Sequence, residues 1–207
     1  MEVVSDLNAN KRKNFIKLAM KYAKPGTGSS ITFLNKRTWT YSVTNLNQII
    51  KQAPFVIVGG VATRLYMPER MTLDIDILIR AEDARLIYQD LARANGKKIG
   101  ELSIPRSQWE LEDGTSLDVL EVKENWGTEA IKKPNYAPDG LPIIDLTYLV
   151  LMKLKAGRSQ DLADISRMLG GATDLQLQEV KKIINQYLSN AAEDLESLTI
   201  LGKLERQ

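Results

Sequence analysis

Residues 73–80 read Leu-Asp-Ile-Asp-Ile-Leu-Ile-Arg, and this alternation of acidic and apolar side chains predicts a β-strand. Successive side chains of a strand point to opposite faces of the sheet, so Asp74 and Asp76 share one face. The isoleucines of the same stretch share the other face and are expected to be buried. The sequence therefore predicts two carboxylates held side by side on a strand with a buried opposite face.

A glycine pair precedes this strand in the chain. Residues 55–58 are apolar and predict another strand, which ends at Gly59 and Gly60, and a helix is expected over residues 61–66. Glycine permits the phosphates of a substrate to approach the backbone, and the start of a helix offers unpaired N–H groups and a positive dipole end. The glycine turn is thus a candidate site for a triphosphate.

A third carboxylate lies downstream, in a strand predicted over residues 116–122. The turn pair Asp113-Gly114 joins this strand to one predicted over residues 108–112. Asp118 fits poorly among its apolar neighbours, so we expect it to pair with a charged partner. Mg²⁺ is typically bound by one or two carboxylates together with substrate phosphates. We therefore predict that Asp118 faces the same metal ions as Asp74 and Asp76, or that it acts as a general base.

Composition limits the chemistry that the chain can perform. Its 207 residues are 43% apolar and 26% charged, with a net charge of +2, which is typical of an ordinary globular protein without a strong preference for acidic partners. The absence of Cys and His excludes disulfides, thiolate sites and imidazole-dependent catalysis. We find no pattern of a signal peptide or membrane span and expect a cytoplasmic protein.

The order of predicted elements indicates an α/β (α+β) fold with a helical C-terminal region. Further helices are predicted over residues 10–23, 46–51 and 82–94, and a hairpin over residues 31–41. Residues 125–140 are expected to form a loop or a short helix. We place a domain boundary near residue 140, between a core of residues 1–140 and a helical region of residues 141–207 that packs on it.

Helix-capping patterns divide the C-terminal region. Asp145 and Ser159 are predicted to cap two helices, and Gly170-Gly171 ends the second. Thr173 with Gln176 forms a capping-box pattern for a third helix, which residues 191–204 are expected to extend.

These motifs together resemble the nucleotidyltransferase superfamily, whose members combine a glycine-rich turn, an Asp-x-Asp and a distal Asp. Here those are Gly59-Gly60, Asp74-x-Asp76 and Asp118. With Arg70-x-Thr72 in front of Asp74, the chain looks like the AbiEii and MenT type toxin nucleotidyltransferases and related bacterial proteins. The resemblance implies a small mixed β-sheet flanked by helices, Mg²⁺ or Mn²⁺ at the three aspartates, and nucleotide contacts from Gly59, Gly60, Arg70 and Thr72.

The resemblance continues into the C-terminal helices. It implies phosphate contacts from Lys153 and a position near the nucleotide for Arg158, with Asp161 and Asp164 orienting these basic groups. Two simpler interpretations stay open, namely that Lys153 is a solvated helix position and that Arg158 caps a helix end. One departure from many superfamily members is Gly60, which stands where they have a phosphate-binding Ser.

The resemblance to the nucleotidyltransferase superfamily also implies a function. The resemblance implies transfer of a nucleoside monophosphate from an NTP to a hydroxyl or phosphate of tRNA, a protein or a small molecule such as an aminoglycoside or lincosamide, and an antitoxin protein as a partner. The alternative is a noncatalytic nucleotide- or partner-binding module on the same fold. An isolated Asp-x-Asp is often only a solvated strand face, and a dinucleotide fingerprint would need further glycines after Gly60.

Overall fold

The computed structural model describes residues 2–25, 43–68, 72, 74–102 and 106–206. Its contacts divide the chain into two compact units. The helical unit comprises Met1–Arg37, Tyr66–Pro68 and Leu146–Gln207, and the sheet unit comprises Thr38–Leu65 and Glu69–Asp145. The predicted hairpin of residues 31–41 lies outside the described residues.

The sheet unit is built on a seven-stranded mixed sheet with the order β3-β4-β5-β2-β1-β7-β6. The pairs β2–β5 and β1–β7 are parallel, and the other neighbours are antiparallel. The predicted small mixed sheet flanked by helices is therefore confirmed. The strands are β1 Val56–Val58, β2 Asp74–Arg80, β3 Lys97–Leu102, β4 Arg106–Glu110, β5 Ser116–Val122, β6 Asn135–Tyr136 and β7 Pro142–Ile143.

The helices of this unit are short. They are α2 Leu46–Ile49, α3 Gly59–Ala62, α4 Ala84–Arg93 and α5 Asn125–Lys132, with 3₁₀ turns at Thr63–Leu65 and Ala81–Asp83. The isoleucines of β2 are at most 4% exposed, as their alternation predicts. On the same face of the sheet, Tyr88 of α4 stacks on Trp109 of β4 with ring centroids 5.4 Å apart. The Tyr88 hydroxyl donates to Glu121 of β5 at 2.6 Å, so α4 is fixed to the sheet by both apolar and polar contacts.

Asp90 of α4 anchors the segment that leads into β1. Its Oδ2 accepts the backbone N–H groups of Lys51 at 2.7 Å and Gln52 at 2.8 Å, and its Oδ1 accepts the Gln52 side chain at 2.7 Å. Burial acts to raise the pKa of Asp90, but these hydrogen bonds outweigh it and hold the pKa below its ordinary value. The charged form of Asp90 therefore stabilises the start of the sheet.

Among the residues that the structure describes, the helical unit contains five helices, and the first, α1 (Glu2–Tyr22), belongs to it rather than to the sheet unit. The buried Arg12 of α1 donates from Nε to Asp194 Oδ2 at 2.7 Å and from Nη1 to the Leu154 carbonyl at 3.4 Å. These contacts attach α1 to α6 and α9. The five helices are α1 Glu2–Tyr22, α6 Leu146–Ala156, α7 Ser159–Gly170, α8 Asp174–Tyr187 and α9 Ala192–Glu205.

Two glycines let α7 and α9 cross at backbone contact. A Cβ built at Gly202 would overlap the carbonyl oxygen of Ser166, and one built at Gly170 would lie 2.6 Å from the Gly202 carbonyl carbon. Both Cβ positions are closer to backbone atoms than real Cβ atoms come. The two helices can therefore cross this closely only because positions 170 and 202 have no side chain.

Several boundary predictions are corrected by the structure. The helix expected over residues 61–66 instead begins at Gly59 and ends at Ala62, where a 3₁₀ turn follows. Strands β3, β6 and β7 were not predicted, and α1 begins at Glu2 rather than near residue 10. Residues 191–204 do not extend α8, because a 3₁₀ turn at Ser189–Ala191 separates it from α9.

The capping box at the start of α8 is confirmed. The Gln176 N–H donates to Thr173 Oγ1 at 3.3 Å, and the Thr173 N–H donates to Gln176 Oε1 at 2.9 Å. In the described part of the chain, no helix is long and apolar enough to cross a membrane.

Candidate functional site

Two acidic side chains lie side by side at the centre of the sheet. Strands β2 and β5 are parallel and in register over seven residue pairs, which places Asp76 directly opposite Asp118. Directly paired residues of neighbouring strands point to the same face, so both carboxylates face the same side. Asp118 is 4% exposed, and the Asp76 side chain is 23% exposed. The pair thus combines one buried carboxylate with one that solvent reaches.

Gly59 makes room for the Asp76 carboxylate. It follows β1 directly, and Val58 of β1 pairs with Asp76. The φ angle of Gly59 is +63°, and a Cβ built there would overlap Asp76 Oδ2 and lie 2.7 Å from Cγ. A side chain at position 59 would therefore be strained by the backbone and would also displace the carboxylate. The sequence predicts that the glycine turn binds phosphates, whereas in the structure Gly59 leaves the space that the Asp76 carboxylate occupies.

Arg106 of β4 adds a cation to the acidic pair. Its Nη2 forms an ion pair with Asp118 Oδ2 and lies 3.6 Å from Asp76 Oδ1. The expectation that Asp118 pairs with a charged group is met by this residue. The sequence analysis did not predict a role for Arg106. Gln108 pairs with Asp118, and Arg106 lies two residues before Gln108 on β4, so its side chain points to the same face as Asp118.

The second oxygen of Asp118 provides a test of whether a metal ion fits. Its Oδ1 is buried and has no hydrogen-bond partner among the described residues. A buried carboxylate oxygen without a donor is unfavourable, and a hard cation is one kind of partner that would satisfy it. Among the described residues, however, no three acidic side chains lie close enough together to share one metal ion. The donor set fits a cation held by two carboxylates and completed by ligands from a substrate.

Asp74 lies at the beginning of β2, opposite Ser116, and is exposed. It lines a cavity of about 130 Å³, to which neither member of the acidic pair contributes. The cavity is lined by the buried Arg64, by Asp74 and by three threonines, which are Thr44, Thr72 and Thr115. Its lining is thus suited to polar groups of a ligand.

The remaining residues of the glycine turn have structural partners. The Thr63 hydroxyl donates to the Gly60 carbonyl at 2.6 Å and closes the single turn of α3. A helix of one turn carries little of the macrodipole on which the predicted triphosphate site depended. Arg70 lies outside the described residues.

Lys153 and Arg158 are gathered around two aspartates of α7, within the helical unit. Lys153 is 5% exposed and donates to Asp161 Oδ1 at 3.0 Å and to Asp164 Oδ2 at 2.8 Å. Arg158 has a side chain that is 72% exposed, and its Nε donates to Asp161 Oδ2 at 2.6 Å. The interpretation of Lys153 as a solvated position is therefore wrong, whereas the expected orienting contacts from Asp161 and Asp164 are present.

The two basic groups change the ionisation of Asp161. Burial acts to raise its pKa, but the hydrogen bond from Arg158 and the charge of Lys153 outweigh this and hold the pKa below its ordinary value. The cluster is therefore most stable with Asp161 ionised.

Comparison with known proteins gives likenesses at the level of solved structures. No family model matches the chain, and no curated protein matches it significantly. A Thermotoga maritima protein provisionally described as a nucleotidyltransferase is 19% identical with a TM-score of 0.41, and the match covers 61% of this chain and 91% of that one. ANT(2")-Ia in complex with adenylyl-2"-tobramycin is 17% identical with a TM-score of 0.41, covering 73% of this chain and 87% of that one. The Thermotoga maritima CCA-adding enzyme complexed with tRNA is 15% identical with a TM-score of 0.38, covering 83% of this chain and 52% of that one.

Proposed function

We propose that this protein is a Mg²⁺-dependent nucleotidyltransferase, which moves a nucleoside monophosphate from an NTP to a hydroxyl or phosphate of an acceptor. The observation that carries the proposal is the in-register pairing of Asp76 with Asp118, with Gly59 packed against the Asp76 carboxylate. Two carboxylates on one face of a buried sheet form the hard-oxygen donor set that Mg²⁺ uses together with phosphates.

The residues would divide the work as follows. Asp76 Oδ1 and the unpaired Asp118 Oδ1 would hold the cation, and Gly59 keeps the Asp76 carboxylate in place. The bound cation would supply Lewis-acid stabilisation of the charge that develops on the phosphoryl oxygens. Asp74 would receive a further cation or an acceptor group, which its position at the lining of the polar cavity supports. Asp118 is the alternative candidate for a general base.

In the transfer step, an oxygen of the acceptor forms a bond to the α-phosphorus of the NTP. The bond between the α-phosphorus and the α,β-bridging oxygen breaks, and pyrophosphate leaves with the electron pair of that bond. If the acceptor is a hydroxyl, its proton passes to a carboxylate oxygen of the site. The chain has no His, so a carboxylate is the proton acceptor that its composition favours.

Nucleotide contacts from Gly60, Arg70, Thr72, Lys153 and Arg158 are part of the proposal. Thr72 is supported by its position at the cavity that Asp74 lines. The roles of Lys153 and Arg158 rest on the sequence resemblance, and in the structure Asp161 holds both basic groups.

The function is tested with Asp118→Asn, which keeps the shape of the side chain and removes its charge. We expect calorimetric titration to show Mg²⁺-dependent binding of at least one NTP by the wild type and none by the variant. NTPs labelled at the α-phosphate should also transfer label to RNA, protein or an aminoglycoside. Glu129→Gln, which removes one carboxylate charge on α5, is the control and should behave as the wild type. Equal transfer by wild type and Asp118→Asn would refute the proposal.

A second candidate function is a noncatalytic nucleotide-binding module. The observation in its favour is Arg106, which already offsets one of the two negative charges of the acidic pair. This alternative predicts that NTP binds and that pyrophosphate is not released with any acceptor. Transfer of the α-phosphate label to an acceptor would exclude it.

We further propose a toxin–antitoxin role, which the resemblance of residues 58–76 to toxin nucleotidyltransferases supports. Induced expression in a bacterial host should arrest growth with the wild type and not with Asp118→Asn. Normal growth with well-expressed wild type would refute this context and leave the enzymatic proposal intact.

A further inference from the structure

A positively charged side chain of the protein, Arg106, already lies beside the acidic pair. Arg106 Nη2 contacts Asp118 Oδ2 and lies 3.6 Å from Asp76 Oδ1. The guanidinium therefore lies between the two carboxylates that are proposed to bind Mg²⁺.

Occupation by Arg106 and occupation by a divalent cation compete. Two carboxylates on directly paired strand positions repel each other unless a positive charge lies beside them. The Asp118 side chain is only 6% exposed, so the attraction of Arg106 is less screened than that of a surface ion pair. A divalent cation on Asp76 Oδ1 would meet the guanidinium, whose Nη2 lies 3.6 Å from that oxygen, so repulsion between the two cations favours weaker contacts of Arg106 with the pair.

Arg106 also retains capacity for a further partner. Its Nε is buried and has no hydrogen-bond partner among the described residues, while the side chain as a whole is 26% exposed. A guanidinium presents a planar fork of N–H donors that matches phosphate oxygens, and an anionic ligand near this face would compensate for the loss of Asp118.

We propose that Arg106 couples the binding of metal and triphosphate by exchanging partners. Without nucleotide it offsets one of the two negative charges of Asp76 and Asp118 and lowers the affinity for a divalent cation. When a triphosphate arrives with its cation, the cation takes the carboxylates and the guanidinium takes phosphate oxygens. This inference rests on the proposed binding of NTP and metal, and adds that each ligand raises the affinity for the other through one side chain.

The coupling is measurable without catalysis. Mn²⁺ serves as the metal probe, and the α,β-methylene analogues of the four NTPs serve as nucleotides because their α,β-bridge cannot be cleaved. Calorimetric titration gives the Mn²⁺ affinity with and without the analogue, and the ratio of the two is the coupling factor. By linkage, the same factor applies to the effect of Mn²⁺ on the analogue.

Replacement of Arg106 by Gln removes the competing charge. For Arg106→Gln we expect Mn²⁺ alone to bind about 10-fold more tightly than to the wild type, and the coupling factor to fall by about 10-fold. Arg80→Gln is the matched control: Arg80 is on the same face of β2, but it pairs with Glu82 and Asp83. Its affinities should equal those of the wild type.

An unchanged Mn²⁺ affinity or an unchanged coupling factor in Arg106→Gln would overturn the proposal. If this variant does not fold, Arg106→Lys tests the same point, because one ammonium group lacks the fork that binds carboxylate and phosphate. Arg106→Lys should lower the coupling factor by about threefold or more. A coupling factor equal to that of the wild type would contradict the proposal.

Failure of the exchange can be distinguished from failure of the proposed function. Label transfer by a wild type whose coupling factor equals that of Arg106→Gln would retain the enzyme and reject the exchange. Strong coupling without transfer to any acceptor would retain the exchange and favour the noncatalytic module.

Discussion

Gly59 is the residue at which the geometry of the acidic pair is most sensitive to substitution. Gly59→Ala imposes a positive φ on a side chain and overlaps the Asp76 carboxylate. We expect it to lower the free energy of unfolding by about 1–3 kcal/mol and to abolish Mg²⁺-dependent NTP binding. Chemical denaturation and calorimetry measure the two effects.

Gly114→Ala separates the two causes of the Gly59 effect. Gly114 also has a positive φ, of +80°, but a Cβ there meets nothing within 4 Å. We expect a stability loss from the backbone alone and unchanged nucleotide binding. If Gly59→Ala binds NTP and Mg²⁺ as Gly114→Ala does, the placement of Asp76 does not depend on Gly59.

Lys153 illustrates a buried charge with two partners. Lys153→Met would leave Asp161 and Asp164 without their buried ammonium group, and removal of one member of such a cluster costs about 3–5 kcal/mol. Urea denaturation measures this loss. Lys182→Met, at an exposed position of α8, should change stability by less than about 0.5 kcal/mol. A similarly small effect at Lys153 would show that the cluster is not a source of stability.

At the scale of single elements, the capping box of α8 gives a local prediction. Thr173→Ala removes the acceptor for the Gln176 N–H and should lower the free energy of unfolding by about 1 kcal/mol. Thermal denaturation of Thr173→Ala is compared with that of Gln178→Ala, which changes an exposed residue inside the same helix. Equal melting temperatures for the two variants would contradict a capping role.

Elements with strong local patterns were predictable, and those defined by tertiary contacts were not. The alternation of residues 73–80 predicted β2 and the shared face of its two aspartates, and the capping pattern predicted the start of α8. Strand β3 contains Lys97 and Lys98 and has no apolar alternation. Among the strands that the structure describes it is an edge strand, and its one partner there is β4. Its existence depends on that pairing and not on its own sequence.

In the acidic site, too, some features were predictable from local sequence and others depend on tertiary contacts. Asp76 was selected with Asp74 for the Asp-x-Asp spacing, and Asp118 was selected because a carboxylate fits poorly in an apolar strand. The structure pairs Asp76 with Asp118 in register. The partnership of Gly59 with Asp76 and of Arg106 with Asp118 was not predicted, since both depend on the order of strands in the sheet. Local sequence reports which face a residue occupies, but it does not report which strand lies beside it.

At the scale of the whole molecule, two buried aspartates give stability a dependence on pH. The pKa values of Asp90 and Asp161 are lower in the folded protein than in the unfolded chain. The unfolded chain therefore binds protons first as pH falls, and the stabilisation is complete above the ordinary Asp pKa of about 4. It is lost progressively as pH falls from about 5 through the folded pKa values.

Denaturation of the wild type between neutral and acidic pH should show this loss, and Asp90→Asn should show a smaller one. At neutral pH, Asp90→Asn weakens charged hydrogen bonds and should cost about 1–3 kcal/mol. A wild type and an Asp90→Asn variant with parallel pH profiles would contradict the contribution assigned to Asp90.

The order of strands also has a consequence for synthesis on the ribosome. Strands β2 and β5 are neighbours in the sheet, but β3 and β4 are translated between them. A nascent chain that ends at Gly114 contains Asp76 and lacks Asp118, its neighbour across the ladder. Because domains fold as their chain emerges, the acidic pair forms only after β5 has left the exit tunnel. Translation thus delays the metal-binding chemistry proposed for this pair until that part of the sheet can close.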